Sequence, residues 1–305
     1  MAINRVVRAA LKALSYNEYD IKENLQRHRN FVNLTRRHIL KPLFKTCDFK
    51  IGSINHNIPV RVFFPEANAD CPVLLFFHGG GWVAGNIDSY NKVCTNMTRL
   101  TNHKVVSVDY RLAPENPFPI GLEDCYGAAK AFITNEEINN KEVVLIGDSA
   151  GGNLSAALSL LARDRKEFKV NKQILIYPST YNDHTGNSPF KSVIENGTDY
   201  LLTSKRIRDY MELYKSKEDD IFSPYFAPLL SKNLSGQPKT LIITAEYDPL
   251  RDEGEEYGKR LREAGNYVEI YRIKDALHSF FALPPRFPQV KLCYDIINRF
   301  LCEVD

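Results

Sequence analysis

The stretch that most constrains the fold runs from Lys141 to Leu161 and reads KEVVLIGDSAGGNLSAALSLL. Residues 143–146 form an apolar, largely β-branched run, which is typical of a strand buried on both faces. Residues 153–161 are rich in Ala and Leu, which favours a helix. The residues between them include GDSAG, a G-x-S-x-G sequence at a strand-to-helix turn. The stretch therefore predicts a turn that exposes Ser149 above the end of a strand.

Such a turn has physical requirements that these residues meet. It pushes its central residue toward strained backbone angles, and small neighbours are needed so that adjacent chains do not clash with it. The helix that follows points its free N–H groups at the same spot, where they would stabilise an oxyanion. G-x-S-x-G alone recurs by chance, but a strand before it and a helix after it indicate a nucleophile. The alternative is a Gly-rich turn that only packs a strand against a helix.

Composition excludes several classes of protein. The 305 residues contain 40 Lys and Arg against 37 Asp and Glu, a net charge of +3, so no nucleic-acid partner is indicated. Six scattered cysteines without a C-x-x-C pair indicate reduced thiols and no metal site. No segment supplies the ~20 apolar residues of a membrane span, and the N-terminus has no signal-peptide pattern. We therefore expect a cytoplasmic protein.

Strand-like and helix-like segments alternate along most of the chain. Apolar runs lie at 73–77, 105–108, 143–146, 174–177, 241–245 and 267–273, and helical segments at about 89–101, 120–133, 149–163, 252–264 and 288–302. This alternation predicts an α/β fold with a mostly parallel twisted sheet and helices on both faces. Residues 49–51 and 58–64 flank a turn and predict a hairpin, so the early strands would be antiparallel.

Two regions lie outside this alternation. Residues 1–45 carry apolar residues at helical spacing, which predicts helices. These helices either have only a packing role or cover a site. A membrane-surface helix with Arg5, Arg8 and Lys12 toward lipid is a third interpretation. The segment from residue 179 to about residue 236 is too long and contains too many aromatic residues for a connecting loop. We predict that both regions form a helical cap, so that 46–305 is a catalytic domain with an insertion at about 179–236.

Residues 78–82 read HGGGW and directly follow the apolar run at 73–77. Three glycines at the carboxyl end of a strand leave backbone N–H groups uncovered, as an oxyanion requires. The alternatives are a flexible turn and a phosphate-binding loop, the latter weakened because no G-x-x-x-x-G-K-[ST] sequence follows. The lone tryptophan, Trp82, is either a core residue or a pocket wall.

A nucleophilic serine needs a general base, and the base needs a carboxylate to orient it. Two histidines follow Ser149 in the chain. His278 comes just after a strand-like run, which puts it at the same sheet edge as the serine. His184 lies among loop residues of the insertion, and we predict a solvated side chain. Asp248, also just after a strand-like run, is the predicted carboxylate, with Glu246 as the runner-up.

Five motifs together resemble the hormone-sensitive-lipase-like family of α/β-hydrolase carboxylesterases. They read HGGGW, DYRLAPE, GDSAGG, DPLRDE and HSF, beginning at residues 78, 109, 147, 248 and 278. The resemblance runs from about residue 70 to the end in the family's order, while residues 1–45 and the insertion match only in character, as the family's variable cap. The family commonly has Gly after the catalytic histidine, where this chain has Ser279. That departure concerns only the fine shape of the pocket.

The resemblance implies an α/β-hydrolase fold and a serine carboxylesterase that uses neither a metal nor an organic cofactor. It implies a catalytic triad of Ser149, Asp248 and His278. The N–H groups expected to form the oxyanion hole are those of Gly80, Gly81 and Ala150. Arg111 and Glu115, in the DYRLAPE motif, are expected to brace the loop under the site.

We expect a small-molecule ester with a short- to medium-chain acyl group, because a capped, aromatic-lined pocket does not suit bulk triglyceride. The predicted pocket residues are Trp82, Tyr181, Phe222 and Phe226. The alternative function is a non-hydrolytic ligand-binding member of the same fold, similar to the plant gibberellin receptors, which have lost the triad histidine. A peptidase of this fold is a third alternative, against which the HGGG loop argues. An apolar helix face around 290–300 is either buried or forms a homodimer.

Overall fold

The computed structural model describes residues 20–36, 45–52, 56–66, 72–135 and 142–302, which contain one eight-stranded sheet. In chain order the strands are β1 (Thr46–Gly52), β2 (Asn57–Phe63), β3 (Val73–Phe77), β4 (Lys104–Val108), β5 (Val143–Asp148), β6 (Lys172–Ile176), β7 (Lys239–Tyr247) and β8 (Val268–Leu277). They lie side by side in the order β1-β2-β4-β3-β5-β6-β7-β8. β1 and β4 each pair antiparallel with β2, and all other pairs are parallel. The predicted mostly parallel sheet and its opening hairpin are confirmed.

The helices follow the predicted alternation. In the described residues they are α1 (Leu25–Arg36), α2 (Asn91–Thr101), α3 (Ile120–Ile133), α4 (Ala150–Arg165), α5 (Lys191–Glu195), α6 (Ser204–Tyr214), α7 (Arg251–Glu263) and α8 (Pro288–Cys302). Short 3-10 turns lie at Glu218–Phe222, Pro228–Leu230 and Phe280–Ala282. The five predicted helices are present as α2, α3, α4, α7 and α8. Four of them turn one apolar face to the protein interior, whereas α4 is buried at every position from Ala150 to Ala162.

The sheet is covered on both faces, and β3 shows how. Its side chains at 73, 75 and 77 pack with those of α3 and α4, whereas Leu74 and Phe76 pack with those of α2 and α8. All five residues of this strand are fully buried. Successive side chains of a strand point to opposite faces, so a strand with helices on both sides has no solvent-facing position. This is why the run VLLFF contains no polar residue.

α1, α5 and α6 lie outside the strand–helix alternation. α1 falls in the predicted N-terminal helical region, whereas the predictions for residues 1–19, including Arg5, Arg8 and Lys12, lie outside the described residues. α5 and α6 both fall in the insertion at about 179–236.

The apolar face of α8 packs into the protein's own core. Val290, Cys293, Ile297 and Phe300 are buried with the residues of β3, β5 and β7 that face this side of the sheet. Of the two alternatives for this face, the buried one is therefore correct. No helix in the described ranges combines the length and apolar character needed to cross a membrane.

Candidate active site

The strand–turn–helix around Ser149 has the geometry that its sequence predicts. β5 ends at Asp148 and α4 begins at Ala150, and Ser149 between them has φ 56° and ψ −117°. A positive φ is strained for a residue with a side chain. A Cβ atom on Gly151 would overlap the carbonyl oxygen of Phe77, so glycine is required there. The chain turns sharply enough to leave the Ser149 side chain at the carboxyl edge of the sheet.

His278 and Asp248 lie beside Ser149 at this edge. The distance from His278 Nε2 to Ser149 Oγ is 2.9 Å, and from His278 Nδ1 to Asp248 Oδ2 it is 2.7 Å. Asp248 is fully buried, and its other oxygen accepts a hydrogen bond of 2.9 Å from the N–H of Leu250. β7 ends one residue before Asp248, and β8 ends one residue before His278. The parallel strands thus bring three groups distant in sequence into one hydrogen-bonded row.

Glu246, the other carboxylate considered, points elsewhere. Its Oε2 atom accepts a hydrogen bond of 2.7 Å from the backbone N–H of Asp275. The carboxylate therefore holds the chain just before His278 in position and makes no hydrogen bond to the histidine ring.

The prediction of a solvated His184 is wrong. His184 is 1% exposed, and its Nε2 atom lies 2.6 Å from Oε2 of Glu253, which is fully buried. The other carboxylate oxygen of Glu253 accepts hydrogen bonds from the backbone N–H groups of Thr180 and Tyr181. A buried carboxylate needs such partners to offset its desolvation, and His184 is one of them.

Most of the HGGGW sequence lies in a loop that follows His78, and we define residues 79–84 as the glycine loop. Gly80 and Gly81 have φ values of 129° and 61°, which are readily accessible only to glycine. The N–H groups of Val83 and Ala84 donate to the carbonyl oxygen of Gly80 at 3.2 and 3.0 Å. The loop is therefore a closed turn at the carboxyl end of β3, next to the turn that holds Ser149.

Asp148 joins these two turns, a role that the sequence analysis missed. Its Oδ1 atom accepts a hydrogen bond of 2.7 Å from the N–H of Gly79, and its Oδ2 atom accepts from the hydroxyls of Tyr90 and Tyr177 at 3.1 and 3.4 Å. Because Asp148 directly precedes Ser149, the glycine loop is tied to the serine turn itself. The sequence held a signal, since an acidic residue beside the serine in a buried turn needs partners.

The DYRLAPE motif supports the glycine loop from below. The hydroxyl of Tyr110 donates to the carbonyl oxygen of His78 at 2.7 Å, and burial raises the pKa of Tyr110 well above its ordinary value, so the donor stays protonated. Arg111 forms a bidentate pair with Asp124, which raises the pKa of Arg111. Glu115 forms its ion pair with Arg29 of α1.

A cavity of about 390 Å³ opens above Ser149. On the side of the sheet, the wall includes Gly80, Gly81, Trp82, Ser179, Leu250 and Ser279. α1 contributes His28, Phe31 and Val32, and the insertion contributes Leu201, Leu202, Arg206, Ile207 and Tyr210. The wall is therefore mainly apolar, and it includes the side chains of Ser149 and His278.

Of the four aromatic residues predicted to line this pocket, only Trp82 does so, and the structure corrects the other three. Phe226 is 1% exposed and lies behind Trp82, with the two ring centroids 6.1 Å apart. Tyr181 packs edge-on against Phe190. Phe222 is 66% exposed on the outer surface. The aromatic residues of the insertion thus either pack in the protein interior or lie exposed on its surface.

The structure offers no arrangement suited to a metal ion in the residues it describes. Within those ranges, no group of three or more His, Cys, Asp and Glu side chains lies close enough together to bind one.

The fold and the row of serine, histidine and aspartate define an α/β hydrolase. A family model described as alpha/beta hydrolase fold matches residues 74–282. An arylesterase from Saccharolobus solfataricus is 36% identical over 253 residues, which cover 82% of this chain and 81% of that protein. An ethyl acetate hydrolase from Pseudomonas putida is 33% identical over 235 residues, which cover 75% of this chain and 73% of that protein.

A solved structure agrees with these sequence relatives. The hyperthermophilic esterase from the archaeon Pyrobaculum calidifontis superposes with a TM-score of 0.85 at 32% identity, over 98% of this chain and 97% of that chain. The chain belongs to the α/β-hydrolase fold family. The resemblance to the hormone-sensitive-lipase-like carboxylesterases is thereby confirmed.

Proposed function

We propose that the chain is a serine carboxylesterase that hydrolyses short- to medium-chain acyl esters, with Ser149 as nucleophile, His278 as general base and Asp248 as the orienting carboxylate. The observation that carries the proposal is the hydrogen-bonded row of 2.9 and 2.7 Å that joins these three side chains, of which Ser149 and His278 line the cavity. Relatives named as an arylesterase and an ethyl acetate hydrolase establish the enzyme class as carboxylic ester hydrolase.

The reaction proceeds through an acyl-enzyme. Ser149 Oγ attacks the ester carbonyl carbon while His278 Nε2 takes the hydroxyl proton, and Asp248 stabilises the imidazolium that forms. The tetrahedral intermediate then breaks its bond to the alcohol oxygen, which receives the proton from His278 and leaves. A water molecule, deprotonated by His278, attacks the acyl-enzyme in turn. The carboxylic acid leaves and the Ser149 hydroxyl is restored.

The N–H groups of Gly80, Gly81 and Ala150 form the oxyanion hole in this proposal. Ala150 is the first residue of α4, so its N–H has no acceptor within the helix. No hydrogen bond found between described residues uses the N–H of Gly80 or Gly81. All three residues line the cavity, and each such donor contributes roughly 3 kcal/mol of transition-state stabilisation.

In this proposal the N-terminal helical region and the insertion at about 179–236 together form the cap. Support comes from the cavity wall, to which α1 contributes three side chains and the insertion at least five. A cavity of about 390 Å³ lies at the lower end of ligand-pocket volumes. This size and the apolar wall favour small, apolar acyl esters over long-chain lipid.

The remaining proposals concern location and assembly. A cytoplasmic location is supported by the five described cysteines, all of which are free thiols and three of which are buried. A homodimer remains a proposal, and light scattering at a series of concentrations tests it. The apolar face of α8 cannot serve as its interface, because the protein's own core covers that face.

Hydrolysis of a p-nitrophenyl ester series from acetate to palmitate, by the wild type and by Ser149→Ala, tests the proposal. We expect activity that peaks at short or medium acyl chains and vanishes in the variant. Turnover that rises steeply toward palmitate and increases at an oil interface would contradict the substrate class. A folded wild type inactive on every ester would favour the ligand-binding alternative.

A further inference from the structure

We infer that Arg29, on α1, is a positioning residue that holds the N–H of Gly81 in the geometry needed for the oxyanion. The inference rests on the proposed esterase function, because the glycine loop has this role only in such a reaction. It assigns to the N-terminal helix a part in the chemistry beyond covering the cavity.

Arg29 reaches from α1 into the loops beneath the cavity. Its Nε donates to the carbonyl oxygen of Val83 at 2.6 Å, and its Nη2 donates to that of Ala113 at 2.8 Å. Both Nη atoms also donate to the carboxylate of Glu115, at 2.8 and 2.6 Å. The Arg29 side chain is 16% exposed, so these charged hydrogen bonds are only partly screened by water.

A continuous series of hydrogen bonds and planar peptides leads from Arg29 to Gly81. The carbonyl of Val83, bound by Arg29, shares a rigid peptide plane with the N–H of Ala84. That N–H donates to the carbonyl oxygen of Gly80 at 3.0 Å. The carbonyl of Gly80 shares its plane with the N–H of Gly81. Fixing the Val83 carbonyl therefore fixes the direction of the Gly81 N–H.

The glycine loop needs such external support. Glycines lack a Cβ atom, so residues 79–81 have more backbone freedom than any other sequence would give. The loop is also held through Trp82, whose carbonyl oxygen accepts a hydrogen bond of 3.0 Å from the N–H of Ala113. Because Arg29 binds the carbonyl of Ala113 as well, one guanidinium holds both the loop and its neighbouring support.

Glu115 keeps the guanidinium in place. The hydrogen bond from Arg29 lowers the pKa of Glu115, so the carboxylate is ionised at neutral pH. The carboxylate binds both Nη atoms and leaves Nε directed at Val83. This fork geometry is specific to arginine, and a lysine ammonium cannot reproduce it.

The test compares Arg29→Gln and Arg29→Lys with the wild type, and uses Arg27→Gln as a matched control. Arg27 is an exposed residue of the same helix. We expect Arg29→Gln to lower kcat for p-nitrophenyl butyrate about 10- to 100-fold with KM changed less than about threefold, since complete loss of one oxyanion donor costs about 10²–10³ in kcat. The kcat of Arg29→Lys should lie between those of Arg29→Gln and the wild type, and the kcat of Arg27→Gln should match that of the wild type.

A second measurement separates positioning from simple stability. The inhibition constant of a trifluoromethyl ketone, which forms an oxyanion on the serine, should rise in Arg29→Gln by the same factor by which kcat/KM falls. A lower melting temperature with unchanged kcat and inhibition would show that Arg29 only stabilises α1, and would overturn the inference. If Arg29→Gln does not fold, Arg29→Lys decides by the same two readouts. An inactive wild type would contradict the proposed function itself, and the inference with it.

Discussion

The substitution Asp248→Asn offers the sharpest test of the row of three side chains, because the neighbours of Asp248 dictate how the new amide must lie. One carboxylate oxygen accepts from the N–H of Leu250 at 2.9 Å, and the other accepts from His278 Nδ1 at 2.7 Å. Asparagine has one acceptor oxygen and one NH₂ group. If its oxygen faced His278, the NH₂ group would meet the N–H of Leu250, leaving a buried donor unpaired at a cost of about 1–3 kcal/mol.

The favoured orientation therefore turns the NH₂ group toward His278. Nδ1 must then accept a hydrogen bond, which places the imidazole proton on Nε2, the atom that should take the proton of Ser149. This is the wrong tautomer for a general base, and we expect kcat to fall about 10⁴-fold, or about 5 kcal/mol of barrier. KM should change little, because Asp248 is fully buried and does not line the cavity.

The assay is the initial rate of p-nitrophenyl butyrate hydrolysis at about pH 8, above the ordinary histidine pKa of ~6.5. Glu246→Gln is the matched control, since that carboxylate binds the backbone of Asp275 and not His278. Circular dichroism should show both variants folded. The reasoning fails if Asp248→Asn keeps more than about a tenth of wild-type kcat, or if Glu246→Gln loses as much as Asp248→Asn does.

Three further predictions concern stability and reactivity. Glu253→Ala leaves three hydrogen-bond donors without an acceptor, so it should lower the free energy of unfolding by about 3–5 kcal/mol, as measured by urea titration. Glu253→Gln should lose less than half as much stability, and equal losses in the two variants would contradict this reasoning. Gly151→Ala should destabilise by about 3 kcal/mol or more through overlap with the β3 backbone, whereas Gly186→Ala, in open space, should change the melting temperature little. Burial raises the pKa of the Cys94 thiol to about 12 and raises the pKa values of the Cys125 and Cys293 thiols well above normal. Iodoacetamide at about pH 8 should therefore label these three thiols only after denaturation, which mass spectrometry of the peptides can show. The three thiols are Cys94, Cys125 and Cys293.

The sequence by itself determined the sheet and the edge where the site lies. Runs such as residues 73–77 and 143–146 are apolar throughout because helices cover both faces, and that pattern is visible without a structure. Parallel strands all end at one edge, so residues that directly follow them, such as Asp248 and His278, could be assigned to a common site.

Only the tertiary structure decided which distant partners each polar or aromatic side chain finds. His184 lies in a loop-like sequence yet is buried, because its partner Glu253 comes 69 positions later. Phe226 is an aromatic of the insertion, yet it packs behind Trp82 and not on the cavity. Arg29 donates a hydrogen bond to Val83, which lies 54 positions later, and no local sequence pattern predicts this contact. The spacing of apolar residues in a segment predicts its secondary structure and which of its faces is buried. The partner of a charged side chain lies elsewhere in the sequence, so it depends on how the whole chain folds.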